Sequence, residues 1–134
     1  MSLEDKDSIR EVLAKYCTYG DGGRAKELAA LFTADGVWEG RMGRAEGRDA
    51  IEALMARINP PPGPGPVRCH VVSNSVVTIE HNTATVTSSF VMMRQAEQGP
   101  QIGAVGHYDD VFVKEGRDWL IKSRKVTPDI MLKG

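Results

Sequence analysis

Apolar residues recur at two different periods along this chain, and the change between them divides it near residue 66. Before that point the spacing is helical. Ile9, Val12, Leu13 and Tyr16 fall at i, i+3, i+4 and i+7, which predicts an amphipathic helix with Ser2 and Asp5 as a capping box and Gly20 as its stop. Ala25, Leu28, Ala29 and Phe32 predict a second, short helix over residues 24–32. Ile51, Leu54, Met55 and Ile58 predict a third over residues 49–58, ended by Pro60. Between the last two, residues 33–36 read as a turn, 37–39 as a short strand, and 40–47, with three glycines, as a loop.

A Pro/Gly-rich stretch, residues 59–66, can be neither helix nor central strand. Beyond it the period becomes two. Residues 67–80 predict a long strand broken near Asn74 and Ser75, followed by a His81-Asn82 turn. In residues 83–94, Ala84, Val86, Ser88, Phe90 and Met92 share one face. Further strands are expected over residues 102–114 and 118–126, with turns at 97–100 and 115–116 and an exposed tail from Thr127. Helices first and hairpin-linked strands afterwards argue an α+β fold, a mainly antiparallel sheet covered by three helices on one face. A strong bend in that sheet would open a pocket under the helices.

Composition narrows the class. A chain of 134 residues, 41% of them hydrophobic, is expected to form a single domain over residues 1–134. The formal charge of −1 leaves no basic surplus for phosphates, so no nucleic-acid partner is expected. No apolar run is long enough to span a bilayer, so a cytoplasmic protein without a membrane partner is expected. Cys17 and Cys69 read as small buried hydrophobes rather than a disulfide. His70, His81 and His107 lack metal-ligand spacing, and no dinucleotide or phosphate loop occurs; neither metal nor cofactor is expected.

The candidate chemistry centres on Asp21 and His70. A neutral imidazole takes a proton near pH 7, and a carboxylate on its other nitrogen fixes the tautomer. Asp21 could equally N-cap the second helix, and a lone histidine is more often bonded to backbone. Tyr16 could donate to a substrate oxygen, although its place on the apolar stripe suits core packing as well. Trp38, Phe90, Met92 and Tyr108 could line an apolar pocket, with Met92 and Met93 equally good as core filler. Arg124 could hold a carboxylate or a leaving group. It shares parity with Leu120 and Lys122, opposite Trp119 and Ile121, so it points away from the Trp face unless a bulge intervenes. His81 and His107 read as surface residues.

Several short motifs, in this order and spacing, carry a family likeness: residues 9–16, Asp21, residues 31–38, 47–51, 70–74, 106–110 and 119–124. Together they resemble the SnoaL-like group of the NTF2-like superfamily, over nearly the whole chain. The resemblance implies a cone of three N-terminal helices on a strongly bent sheet. Tyr16, Asp21 and His70 fall at spacings similar to the catalytic residues of its bile acid dehydratase branch, and Asp21 and His70 resemble the dyad of scytalone dehydratases. No histidine stands in residues 85–90, where the latter carry a second one. The implied activity is a cofactor-independent lyase or isomerase acting on a small hydrophobic, cyclic substrate by proton abstraction. The alternative within the family is a non-catalytic binding or assembly module, such as a ring-hydroxylating dioxygenase small subunit. A homodimer or homotrimer is expected.

Overall fold

The computed structural model describes residues 2–133. Helix α1, Leu3–Asp21, starts where Ser2 Oγ accepts from the Asp5 amide at 3.1 Å, and it buries Ile9, Leu13, Tyr16, Cys17 and Gly20. The Asp5 carboxylate accepts from the Trp119 indole and the Lys114 ammonium at 2.9 and 3.0 Å, which ties the start of α1 to the far sheet hairpin. The helix runs one residue past Gly20, so Asp21 is its last residue rather than one beyond it. Gly23 follows at φ +68°, where any Cβ would lie 2.5 Å from Pro61.

Helix α2 is only Ala25–Ala29, shorter than the apolar spacing predicts. Phe32 is fully buried, as a helical stripe would require, but its backbone belongs to strand β1, Phe32–Gly40, and pairs with Ile121. The turn expected at residues 33–36 lies inside β1 as an irregularity: between Phe32 and Val37 the partner strand advances only from Ile121 to Ser123. The expected loop after it is a tight hairpin, with β2, Gly43–Glu46, folding back so that Gly40 pairs with Gly43. Helix α3, Arg48–Ile58, buries Ile51, Leu54 and Met55.

Four long strands complete the chain: β3 Arg68–Glu80, β4 Thr83–Ala96, β5 Gly99–Glu115 and β6 Asp118–Met131. The sheet order is β2-β1-β6-β5-β4-β3, antiparallel except for β1 beside β6. Register shifts punctuate it, one of them at the predicted break between Ser73 and Val76, where Asn74 takes φ +53°. Such bulges bend strands, and the α+β fold is a curved, mostly antiparallel open sheet with its helices on the concave side. The residues of β4 expected to share a face do so: Ala84, Val86, Ser88 and Phe90 are buried there, with Met92 packed against them.

Two further expectations fail. The exposed tail from Thr127 is the last third of β6: Thr127 pairs with His107, Pro128 with Gly106 and Met131 with Ala104. A proline inside a strand masks the pattern, and it is tolerated because β1 pairs with β6 no further than Lys125. Cys17 is buried as expected, but Cys69 is exposed, on the opposite side of β3 from the half-buried His70. No helix among the described residues is long and apolar enough to cross a membrane.

Candidate active site

The end of α1 and the start of β3 meet at the two residues the sequence singles out. The Asp21 carboxylate faces His70 with both oxygens: Oδ1 lies 2.6 Å from Nδ1, and Oδ2 accepts from the His70 backbone N–H at 2.8 Å. A carboxylate has no proton to offer, so Nδ1 carries the hydrogen and Nε2 is left with its lone pair. Arg68 closes the joint, donating to the Gly20 carbonyl at 3.1 Å and the Pro60 carbonyl at 2.6 Å. It holds strand, helix end and proline loop together one residue pair away from the dyad. No pattern marks it, since a basic residue at a strand start reads as surface. Asp21 does not cap α2, whose N-cap is Arg24 without a side-chain bond.

His70 opens onto a cavity of about 190 Å³ between α1 and the sheet. Trp38, Phe90, Met92 and Tyr108 line it, and Tyr16 forms part of its wall. Asp21 stays behind the imidazole, outside that lining. The Tyr16 hydroxyl accepts from the Trp38 indole N–H at 2.8 Å, so its own proton remains available. Burial raises the Tyr16 phenol, with Arg124 opposing, and holds the Tyr108 phenol well above the usual range. Both are therefore neutral donors at pH 7. Cys17, also on the wall, has its thiol pushed up to about 11 by burial, so it is no thiolate nucleophile.

Arg124 sits elsewhere than strict alternation implies. Phe112 pairs with Ile121 but Val111 with Ser123, so Lys122 is an extra residue and parity inverts after it. The side chain turns inward and is 1% exposed. It does not line the cavity. Its Nε and Nη2 donate to Asp110 at 2.7 and 2.8 Å, and its Cζ lies 4.2 Å from the Tyr16 ring centre and 3.8 Å from that of Tyr108. Burial works against the charge, but Asp110 more than offsets it and the guanidinium stays protonated. Arg124 thus braces the two phenols from behind. Sequence reasoning missed the rim of the cavity: Arg41 and Met42 at the β1–β2 hairpin tip, and Pro128 and Met131 in the part of β6 read as tail. His81 lies in the exposed β3–β4 turn, and His107 on the outer face of the sheet, as expected.

Solved structures share this arrangement of elements. An NTF2-like protein with a cystatin-like fold from Novosphingobium aromaticivorans is 28% identical, with a TM-score of 0.83 over 98% of this chain and 84% of that one. A protein from the same organism, assigned provisionally as a scytalone dehydratase, is 24% identical, with a TM-score of 0.81 over 98% and 89%. ActVI-ORFA from Streptomyces coelicolor is 21% identical, with a TM-score of 0.79 over 92% and 97%. A comparison with curated proteins finds no significant match. The SnoaL-like domain matches residues 1–125, and the chain belongs to that family.

Proposed function

We propose that this protein is a cofactor-independent lyase or isomerase that removes a proton from carbon on a small hydrophobic, cyclic substrate. The observation that carries the reading is the Asp21–His70 pair, with Nδ1 held at 2.6 Å and His70, but not Asp21, lining an apolar cavity. In the proposed reaction His70 Nε2 takes a proton from the carbon beside a substrate carbonyl. The C–H electrons move into the carbonyl, and the resulting oxyanion receives a hydrogen bond from Tyr16. Trp38, donating to the same hydroxyl, strengthens Tyr16 as a donor. The imidazolium, balanced by Asp21, then returns its proton to a departing hydroxyl, which leaves as water, or to another carbon, which completes an isomerisation. The neighbour assigned provisionally as a scytalone dehydratase has the same fold and is compatible with this chemistry.

Turnover of cyclic β-hydroxy ketones and thioesters, followed by the absorbance of the conjugated product, tests the reading in wild type, His70→Ala and Asp21→Asn. Loss in both variants supports it. Undiminished turnover in either sinks it, and tight binding without turnover by any form favours the non-catalytic module. The homodimer or homotrimer expected of the chain belongs to the same proposal; exposed Val71 and Val76 on the outer side of β3 are surface that a second copy would cover.

A further inference from the structure

Resting on the reading above of the cavity as a substrate site, we infer that Arg41 selects ligands in which an apolar ring carries an anionic group, carboxylate or phosphate. The floor of the cavity is apolar and closed: Trp38, Phe90 and Tyr108 are each under a tenth exposed. Its rim is the opposite, with Arg41 exposed, Met42 61% exposed and Met131 43% exposed. A volume of about 190 Å³ accommodates only a small ring system, since a cavity of roughly 150 Å³ is filled by benzene. Any larger ligand must therefore emerge at this rim.

Arg41 is placed there by a two-residue hairpin turn. With Gly40 and Gly43 paired, Arg41 and Met42 are the whole loop between β1 and β2. Gly40 has to be glycine, because a Cβ would lie 2.6 Å from the Trp38 indole packed beneath it. Arg41 donates to the Met131 thioether, which joins the hairpin tip to the end of β6 across the mouth. A thioether is a weak acceptor, so most of the guanidinium fork remains available. Among the described residues no carboxylate pairs with Arg41, whereas neighbouring Arg44 has Glu39 and Glu46. Among the described residues no acidic side chain lines the cavity. A planar cation over an apolar pocket without acids matches a carboxylate or phosphate held bidentately. The role that the sequence offered to Arg124 falls to Arg41, since Arg124 is closed off by Asp110.

Binding of 1-naphthylacetic acid, 1-naphthyl phosphate and the neutral 1-naphthylacetamide, measured by calorimetry, tests this without reference to turnover. Wild type should bind either anion at least about fivefold more tightly than the amide at low salt, with the gap narrowing as salt is added. Arg41→Gln should close the gap and leave the amide within about twofold of its wild-type affinity. His70→Ala should keep the gap, which separates this inference from the Asp–His mechanism. An anion bound no better than the amide by wild type, or a gap that survives Arg41→Gln, overturns it. So does a gap lost only in His70→Ala, which would put the anion on the imidazole.

Discussion

The sheet carries a His–Asp pair on each of its faces. On the concave side His70 Nδ1 meets Asp21 at 2.6 Å; on the convex side His107 Nδ1 meets Asp129 at 2.7 Å. Bond length alone does not tell them apart. The Asp21 carboxylate is also fixed by the His70 backbone N–H and sits at the negative end of α1, where a charge on the imidazole is favoured. The His70 and Asp21 side chains are 22% and 19% exposed, and the imidazole faces an apolar cavity with two neutral phenols. His107 and Asp129 are 41% and 48% exposed, and His107 Nε2 already has Asp109 at 3.5 Å. The two pairs differ in what surrounds the second nitrogen: a pocket in one case, solvent and another acid in the other.

Substitution at the two histidines should separate them most widely. His70→Ala is expected to lower kcat about 10²–10⁴-fold, the usual contribution of a positioned base, while His107→Ala stays within about twofold. Comparable losses in steady-state assays of the two variants would erase the distinction. The fully buried ion pair Arg124–Asp110 sharpens it from the other side. It is buried, and Arg124→Ala should cost about 3–5 kcal/mol in denaturant unfolding by stranding Asp110. Activity of the fraction still folded should fall less than in His70→Ala, because Arg124 reaches the cavity only through Tyr16 and Tyr108.

Asp21→Asn comes next. An amide can still accept from the His70 backbone N–H, so the fold should hold within about 1 kcal/mol. It no longer dictates the tautomer, and kcat should drop about 10²-fold or more with little change in KM. The smallest effect belongs to Asp129→Asn. Its hydrogen bond, with help from charge, raises the His107 pKa above the usual value. A raised folded value means stabilisation that is complete below the unfolded imidazole pKa and lost as pH rises through the folded one. For so exposed a pair the contribution is below about 0.5 kcal/mol. Melting curves of Asp129→Asn and wild type should therefore differ slightly near pH 5 and coincide by pH 9.

Asp21 and His70 stood out by position, one ending a helix stripe at a glycine break and the other early in a valine-rich strand, but pairing them rested on the family resemblance. Phe90 and Met92 share a face by strand alternation, whereas Trp38 and Tyr108 were named as apolar candidates without it. Arg124 did not follow from alternation, because an extra residue at Lys122 inverts parity and leaves no trace in composition. The end of β6 was hidden by Pro128, acceptable only where β1 has stopped. Arg41 lay in a glycine-rich segment that reads as a generic loop. Its position over the cavity comes from the Gly40–Gly43 pairing, a tertiary fact.

In the proposed site Asp21 fixes His70 with a free Nε2 toward the cavity. Nitrogen-15 NMR of the histidine rings at alkaline pH, where imidazoles are neutral, reads this directly. A single Nδ1–H tautomer for His70 is expected in wild type, lost in Asp21→Asn, with the His107 signals unchanged. An Nε2–H tautomer for His70 in wild type, or one indifferent to Asp21→Asn, would contradict it.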